Sequence, residues 1–180
     1  RISSRFYCGG IAMLDSTKML HQIIDLELKV DDEKELMIGP ETRKQTIFVD
    51  LDISLSNMAE AAGWYKVVNP SEVDKEDLLK SYVESVALLL LYSAKMKWTH
   101  LVVLDNQAWQ RITDARRSTK LADLNKSYLA IKHFLSDAYF NHQQESFWHA
   151  WHLLLKMGIS DWQLTPDQIS DTYQAMIDQH

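Results

Sequence analysis

Phe48-Val-Asp-Leu-Asp-Ile-Ser-Leu-Ser-Asn-Met-Ala-Glu-Ala-Ala-Gly-Trp-Tyr-Lys66 and Leu78-Leu-Lys-Ser-Tyr-Val-Glu-Ser-Val-Ala-Leu-Leu-Leu-Leu-Tyr92 carry apolar side chains at helical spacing. In the first stretch Phe48, Leu51, Leu55, Met58 and Ala62 recur at three- and four-residue steps. In the second, Leu79, Val83, Val86 and Leu90 do the same inside a C-terminal half that is apolar almost throughout. A helix apolar on nearly every side is buried on nearly every side. The pattern therefore predicts two long helices at the centre of a bundle, joined by a short loop at Asn69-Pro70-Ser71.

Composition agrees with an all-α reading. The chain has 180 residues, enough for one domain with a substantial core, and its 46% hydrophobic and 24% charged content is ordinary for a globular protein. Five glycines and three prolines are few for a sheet with many tight turns. The net charge of −6 argues against a nucleic-acid partner, because phosphate recognition relies on clustered Lys and Arg. The one basic cluster, Arg111, Arg116, Arg117 and Lys120, reads as a solvated helix end or loop. The longest apolar run, Val86 to Leu91, falls short of the roughly 18 residues of a membrane span, so no membrane association is expected. A single cysteine, Cys8, forms no internal disulfide and suits a reducing, cytoplasmic compartment.

Read in order, residues 1–12 have no helical period and are expected to be a leader or disordered tail, ahead of a single domain over 13–180. Asp15 or Ser16 is the N-cap of a first helix that carries Leu20, Ile23 and Ile24 and dissolves into the acidic run from Asp31 to Glu35. The first central helix is expected to begin after Pro40, near Thr42 or Arg43, and to reach Lys66. Asp74 caps the second, which continues to about Lys97. Trp98 to Asn106 reads as an irregular connector or short helix. A fourth helix spans about Thr119 to Ala138, and a fifth spans Glu145 to Lys156 with Gly158 as its C′ residue. A sixth starts from a capping box at Thr165, with Pro166 at N1 and Gln168 at N3.

The two central stretches resemble the paired catalytic helices of the dimeric dUTPase-like family, within the all-α nucleoside-triphosphate pyrophosphatases. There, E-x-x-E and E-x-x-D motifs bring four carboxylates to Mg²⁺. The matching positions are Ser54 and Asn57 in the first helix, with Glu60, Tyr65 and Lys66 following, and Ser81 and Glu84 in the second. Leu124-Asn125 with Tyr128-Leu129 is similar to the family's next helix, and Phe147, Leu153 and Gly158 to the one after. Ile169 and Tyr173 resemble the start of the last helix, whose polar Lys, Asn and Asn are replaced by Met176, Ile177 and His180. The resemblance implies a dimeric dUTPase-like bundle of about six helices and assembly as a homodimer.

Spacing i, i+3 on two antiparallel helices makes a cage of carboxylates that suits Mg²⁺, which prefers hard oxygen ligands. Only Glu84 keeps the charge, so Ser54, Asn57, Ser81 and Glu84 form a degenerate metal site. Each lost carboxylate–metal attraction is on the order of several kcal/mol even at an effective dielectric near 20. Asp50, Asp52 and Glu60 are the nearby acids that would have to compensate. Glu60, Trp64, Lys66, Asn125 and Tyr173 are the candidates for nucleotide contact. Glu145, His149 and His152, at i, i+4 and i+7, have a spacing that zinc sites use, but their aromatic neighbours Phe147, Trp148 and Trp151 favour packing. The expectation is a dUTPase-like protein that has lost Mg²⁺-dependent catalysis and acts as a binding, regulatory or assembly partner, with no cofactor and with a nucleotide or protein as its ligand. The alternative is an active dUTP/dNTP diphosphatase, converting dUTP to dUMP and pyrophosphate, with Mg²⁺ at an atypical site built on Glu84 and Glu60.

Overall fold

The computed structural model describes residues 7–8 and 11–180 and is helical over most of that length. Of the stretch expected to be a leader, Tyr7–Cys8 (β1) and Ile11–Ala12 (β2) pair antiparallel, Tyr7 opposite Ala12 and Cys8 opposite Ile11. Its other residues lie outside the described ones. Seven α-helices follow among the described residues: α1 (Ser16–Lys34), α2 (Pro40–Ala62), α3 (Lys75–Met96), α4 (Asn106–Thr113), α5 (Leu121–Asn141), α6 (Gln144–Lys156) and α7 (Pro166–Asp178).

The central pair is α2 and α3, which pack on each other more extensively than any other two elements. Leu51, Leu55 and Met58 of α2 and Tyr82, Val86, Leu89 and Leu90 of α3 are fully buried between them and their neighbours. α1 and α7 cover one side of α3, while α5 and α6 form an antiparallel hairpin of their own. Side chains join that hairpin to α2: Phe48 stacks on Tyr139 at 4.7 Å, and Lys132 Nζ reaches Asp52 Oδ1 at 2.5 Å. The apolar run of α3 is closed by the chain itself, with Leu89, Leu90 and Leu91 buried and Leu88 half-buried. The large apolar side chains left exposed on the helices lie elsewhere, among them Val49 and Ile53 on α2 and Leu129 and Phe140 on α5.

Several boundaries differ from those read in the sequence, each for a local reason. Pro40 sits in the first turn of α2 instead of before it, where its missing N–H costs nothing. α2 stops at Ala62 because Gly63 takes φ +66 and returns its N–H to the Ala59 carbonyl, so Trp64, Tyr65 and Lys66 lie in the following turn. The connector after α3 is a 3₁₀ turn at Thr99–Leu101, and a helix the sequence reading missed, α4, follows it. The Asp105 side chain caps α4 by accepting from Ala108 N at 2.7 Å, and Ala108, Trp109 and Ile112 bury its inner face. Among the described residues there are thus seven α-helices where about six were expected.

Gly158 does not end α6 as a C′ glycine. The chain instead winds on through a π-helical turn, Met157–Asp161, closed by Trp162 N on the Met157 carbonyl at 2.9 Å. Glycine is required there for space, since a Cβ would stand 2.1 Å from Cζ of the buried Tyr82 ring. Asp161 ends this turn with its side chain wholly enclosed. It takes Lys156 Nζ at 2.5 Å and Ser118 N at 2.8 Å, which fastens the segment before α5 to the end of α6.

Candidate functional site

An open cleft of about 480 Å³ lies between the C-terminal half of α2, the N-terminal half of α3 and the loop that joins them. Its walls follow from the helix ends. Gly63 turns the chain out of α2, Lys66 N closes that turn on the Gly63 carbonyl at 3.1 Å, and Asp74 starts α3 by accepting from Asp77 N at 3.0 Å. Asn57, Glu60 and Lys66 therefore face Asp77, Ser81 and Glu84 across the opening. Ser71, Glu72, Asp74 and Lys80 complete a lining with five carboxylates and two ammonium groups.

Of the four positions read in the sequence as a degenerate metal site, Asn57, Ser81 and Glu84 line this cleft and Ser54 does not. Ser54 is buried under it, with its Oγ 3.0 Å from Ser85 Oγ and 3.3 Å from the Ser81 carbonyl, to which Ser85 Oγ also donates at 2.9 Å. The hydroxyl stitches α2 to α3 from within. It is spent on these contacts and forms no part of the cleft lining.

Glu60 and Lys66 are engaged with each other at 2.6 Å, and the Tyr65 hydroxyl donates to the second Glu60 oxygen. These bonds, Lys66 first and Tyr65 next, hold the Glu60 carboxyl below its ordinary range, and the Glu60 bond in turn raises Lys66. Both stay charged at neutral pH. Of the other nearby acids, Asp52 is turned away to Lys132 on α5, and Asp50 is exposed outside the lining.

The remaining candidates for nucleotide contact are not brought into the cleft. Trp64 Nε1 donates to Asn125 Oδ1 at 2.9 Å, and its ring meets Tyr128 edge-on at 5.4 Å, so Trp64 and Asn125 join the α2 end to α5. Tyr173 is a core residue of α7 whose hydroxyl donates to the Met19 carbonyl at 2.6 Å. Met176 and Ile177 also pack against the core. The sequence reading missed Asp77 and Lys80, although both lie a turn or less before Ser81 on the same helix. Treating the whole face of α3 instead of one four-residue motif would have found them.

Among the described residues no group of three His, Cys, Asp or Glu side chains is placed to hold a metal ion. Glu145 and His149 form an exposed contact at 3.6 Å, while His152 turns inward onto Trp148, so the zinc-like spacing on α6 does not become a site. In the basic cluster, Arg117 Nε donates to the Asp161 carbonyl at 3.1 Å and Arg111 Nε to the Gln107 carbonyl at 3.4 Å. Among the described residues no helix is long and apolar enough to cross a membrane. No protein-family model, curated protein or solved structure matches the chain.

Proposed function

We propose that the α2–α3 cleft is the remnant of a dUTPase-like metal site, in a protein that has lost Mg²⁺-dependent catalysis and works as a binding, regulatory or assembly partner. The observation that carries this reading is the burial of Ser54. At the position where the resembled family places a carboxylate, this chain has a hydroxyl enclosed between two helices and bonded to Ser85 and Ser81. Mg²⁺ needs charged oxygens that converge on one point. Glu84 is the one acid left of the four, and Glu60 is already neutralised by Lys66.

The test is hydrolysis of dUTP by the purified protein with Mg²⁺, followed by dUMP and pyrophosphate release. No turnover above background is the expected result. The second reading, an active diphosphatase, draws on the fact that Glu84 and Glu60 line the same cleft. Turnover of about 1 per second or faster, abolished by Glu84→Gln, would establish it and overturn the first.

A homodimer belongs to the same proposal. Because α3 is covered by its own chain, we place the contact with a second copy on the outer face of α2, where Val49 and Ile53 are 57% and 53% exposed. Sedimentation should then give a dimer that Ile53→Glu converts to monomer. A wild-type monomer at tens of micromolar removes this part of the reading.

A further inference from the structure

At the opposite end of α2 and α3 from the cleft, the start of α2 and the ends of α3 and α5 enclose a second cavity of about 250 Å³. Glu41 and Lys44 line it from α2, Tyr92 and Met96 from α3, and Tyr139 and Phe140 from α5, with His142 at the rim. Phe48 fixes the two tyrosines from behind, stacked on Tyr139 at 4.7 Å and tilted against Tyr92 at 5.7 Å. Tyr139 and Phe140 stand edge to face, with centroids 4.8 Å apart and planes at 86°, so they form two walls of a corner.

The floor of this corner holds a polar atom with nothing to bond. Tyr92 is fully buried, and its hydroxyl has no hydrogen-bond partner among the described residues. The buried Tyr82 and Tyr173 hydroxyls, by contrast, each donate to a carbonyl. A buried hydroxyl left unpaired is costly, so Tyr92 offers a bond that a ligand can complete. Burial, then Tyr139 and then Glu41, holds this phenol above its ordinary range, and both of those neighbours line the same cavity. The hydroxyl therefore keeps its proton and can donate as well as accept.

Charge and size narrow the ligand. Glu41 and Lys44 bring opposite charges to the rim, 3.5 Å apart, so each offsets the other. An ammonium entering the corner would meet Lys44, and a carboxylate would meet Glu41. Pockets for drug-sized ligands run to roughly 300–1,000 Å³, which leaves this smaller one room for a single ring. We propose that the cavity is a binding site for a small neutral phenol, its ring against Tyr139, Phe140 and Met96 and its hydroxyl paired with that of Tyr92. Edge-on and offset aromatic contacts and a thioether beside a ring favour such an occupant. The cavity shares no lining residue with the α2–α3 cleft, so the site stands or falls apart from the metal-site reading.

Titration of the whole protein with phenol itself, followed by amide NMR shifts, tests this. Saturable shifts are expected at Glu41, Lys44, Met96 and Phe140, with a Kd of about 1 mM or tighter. Toluene has the same ring without the hydroxyl and should bind about five- to tenfold more weakly. In Tyr92→Phe the affinity for phenol should fall to that for toluene, while toluene binding holds. Phe140→Ala removes a wall that is 72% exposed, so it should fold normally and weaken both ligands about tenfold. The site is overturned by the absence of saturable shifts at its lining, which leaves Tyr92 to water, or by equal wild-type affinity for phenol and toluene. Phenol binding unchanged by either substitution also overturns it. So does tighter binding of tetramethylammonium than of phenol, which would make the corner a cation cage. Should Tyr92→Phe fail to fold, the phenol–toluene comparison and Phe140→Ala decide.

Discussion

Tyr82 and Gly158 share one space, and neither can change alone. The Tyr82 ring is fully buried and its hydroxyl donates to the Leu154 carbonyl at 3.0 Å, so the ring cannot retreat from a methyl group at 158 without losing that bond. Gly158→Ala should cost about 1–3 kcal/mol from overpacking, read as a lower urea midpoint at unchanged slope. Ser54 makes the complementary case. Ser54→Ala removes one hydroxyl while Ser85 keeps its bond to Ser81, which should cost about 1 kcal/mol. Ser54→Glu instead places a carboxylate where the described neighbours are a hydroxyl and a carbonyl, and burying an unpaired charge is far costlier. Thermal denaturation should therefore rank wild type above Ser54→Ala and Ser54→Ala well above Ser54→Glu. A Ser54→Glu protein as stable as the alanine variant would show that position 54 reaches the cleft after all.

The elements most legible in the sequence are those whose ends carry their own chemistry. α7 begins with both halves of a capping box, Gln168 N on Thr165 Oγ1 at 3.1 Å and Thr165 N on Gln168 Oε1 at 2.9 Å, and Pro166 fits the first turn. Thr165→Ala should lower stability by about 1 kcal/mol, whereas Pro166→Ala should leave the denaturation midpoint almost unmoved; equal effects would place the cap elsewhere. Asp15 and Asp74 signal the starts of α1 and α3 in the same way. The ends of α3 near Lys97 and of α6 at Lys156 fall where the sequence puts them, but those of α1 and α5 were harder to read, because Glu35 and His142 take the left-handed conformation that usually advertises itself as glycine. α4 was hidden for another reason. Eight residues are too few to establish a period, and the preceding Leu101-Val-Val-Leu104 looks like a strand although Val102 caps a 3₁₀ turn and Leu104 lies in an irregular segment, both buried. In the cleft, the sequence pattern could place Asn57, Ser81 and Glu84 on facing helices, but it could not tell that Ser54, one turn earlier, rotates under the interface. That depends on how closely α2 and α3 approach, which only packing sets.

At the scale of the molecule, the proposed remnant metal site predicts that two things separate this bundle from a metal enzyme. The first is charge in the cleft, which can be added where side chains reach it. Asn57→Glu with Ser81→Glu adds two carboxylates opposite and beside Glu84, all three lining one opening, and leaves Ser54 as a structural hydroxyl. Three convergent carboxylates should hold Mg²⁺ detectably, read as a saturable heat of binding absent from the wild type and lost again on adding Glu84→Gln. The second deficit lies away from the cleft. Met176 and Ile177 pack against the core, and Trp64, Asn125 and Tyr173 are spent on contacts within the bundle. A substrate phosphate brought to the metal would find few groups to align it, and misalignment removes much of the roughly 7–11 kcal/mol that positioning can contribute. The double variant should therefore bind Mg²⁺ without releasing pyrophosphate from dUTP. Turnover on adding charge alone would mean that the cleft positions a nucleotide, and that the absence of carboxylates accounts for the whole of the proposed inactivity.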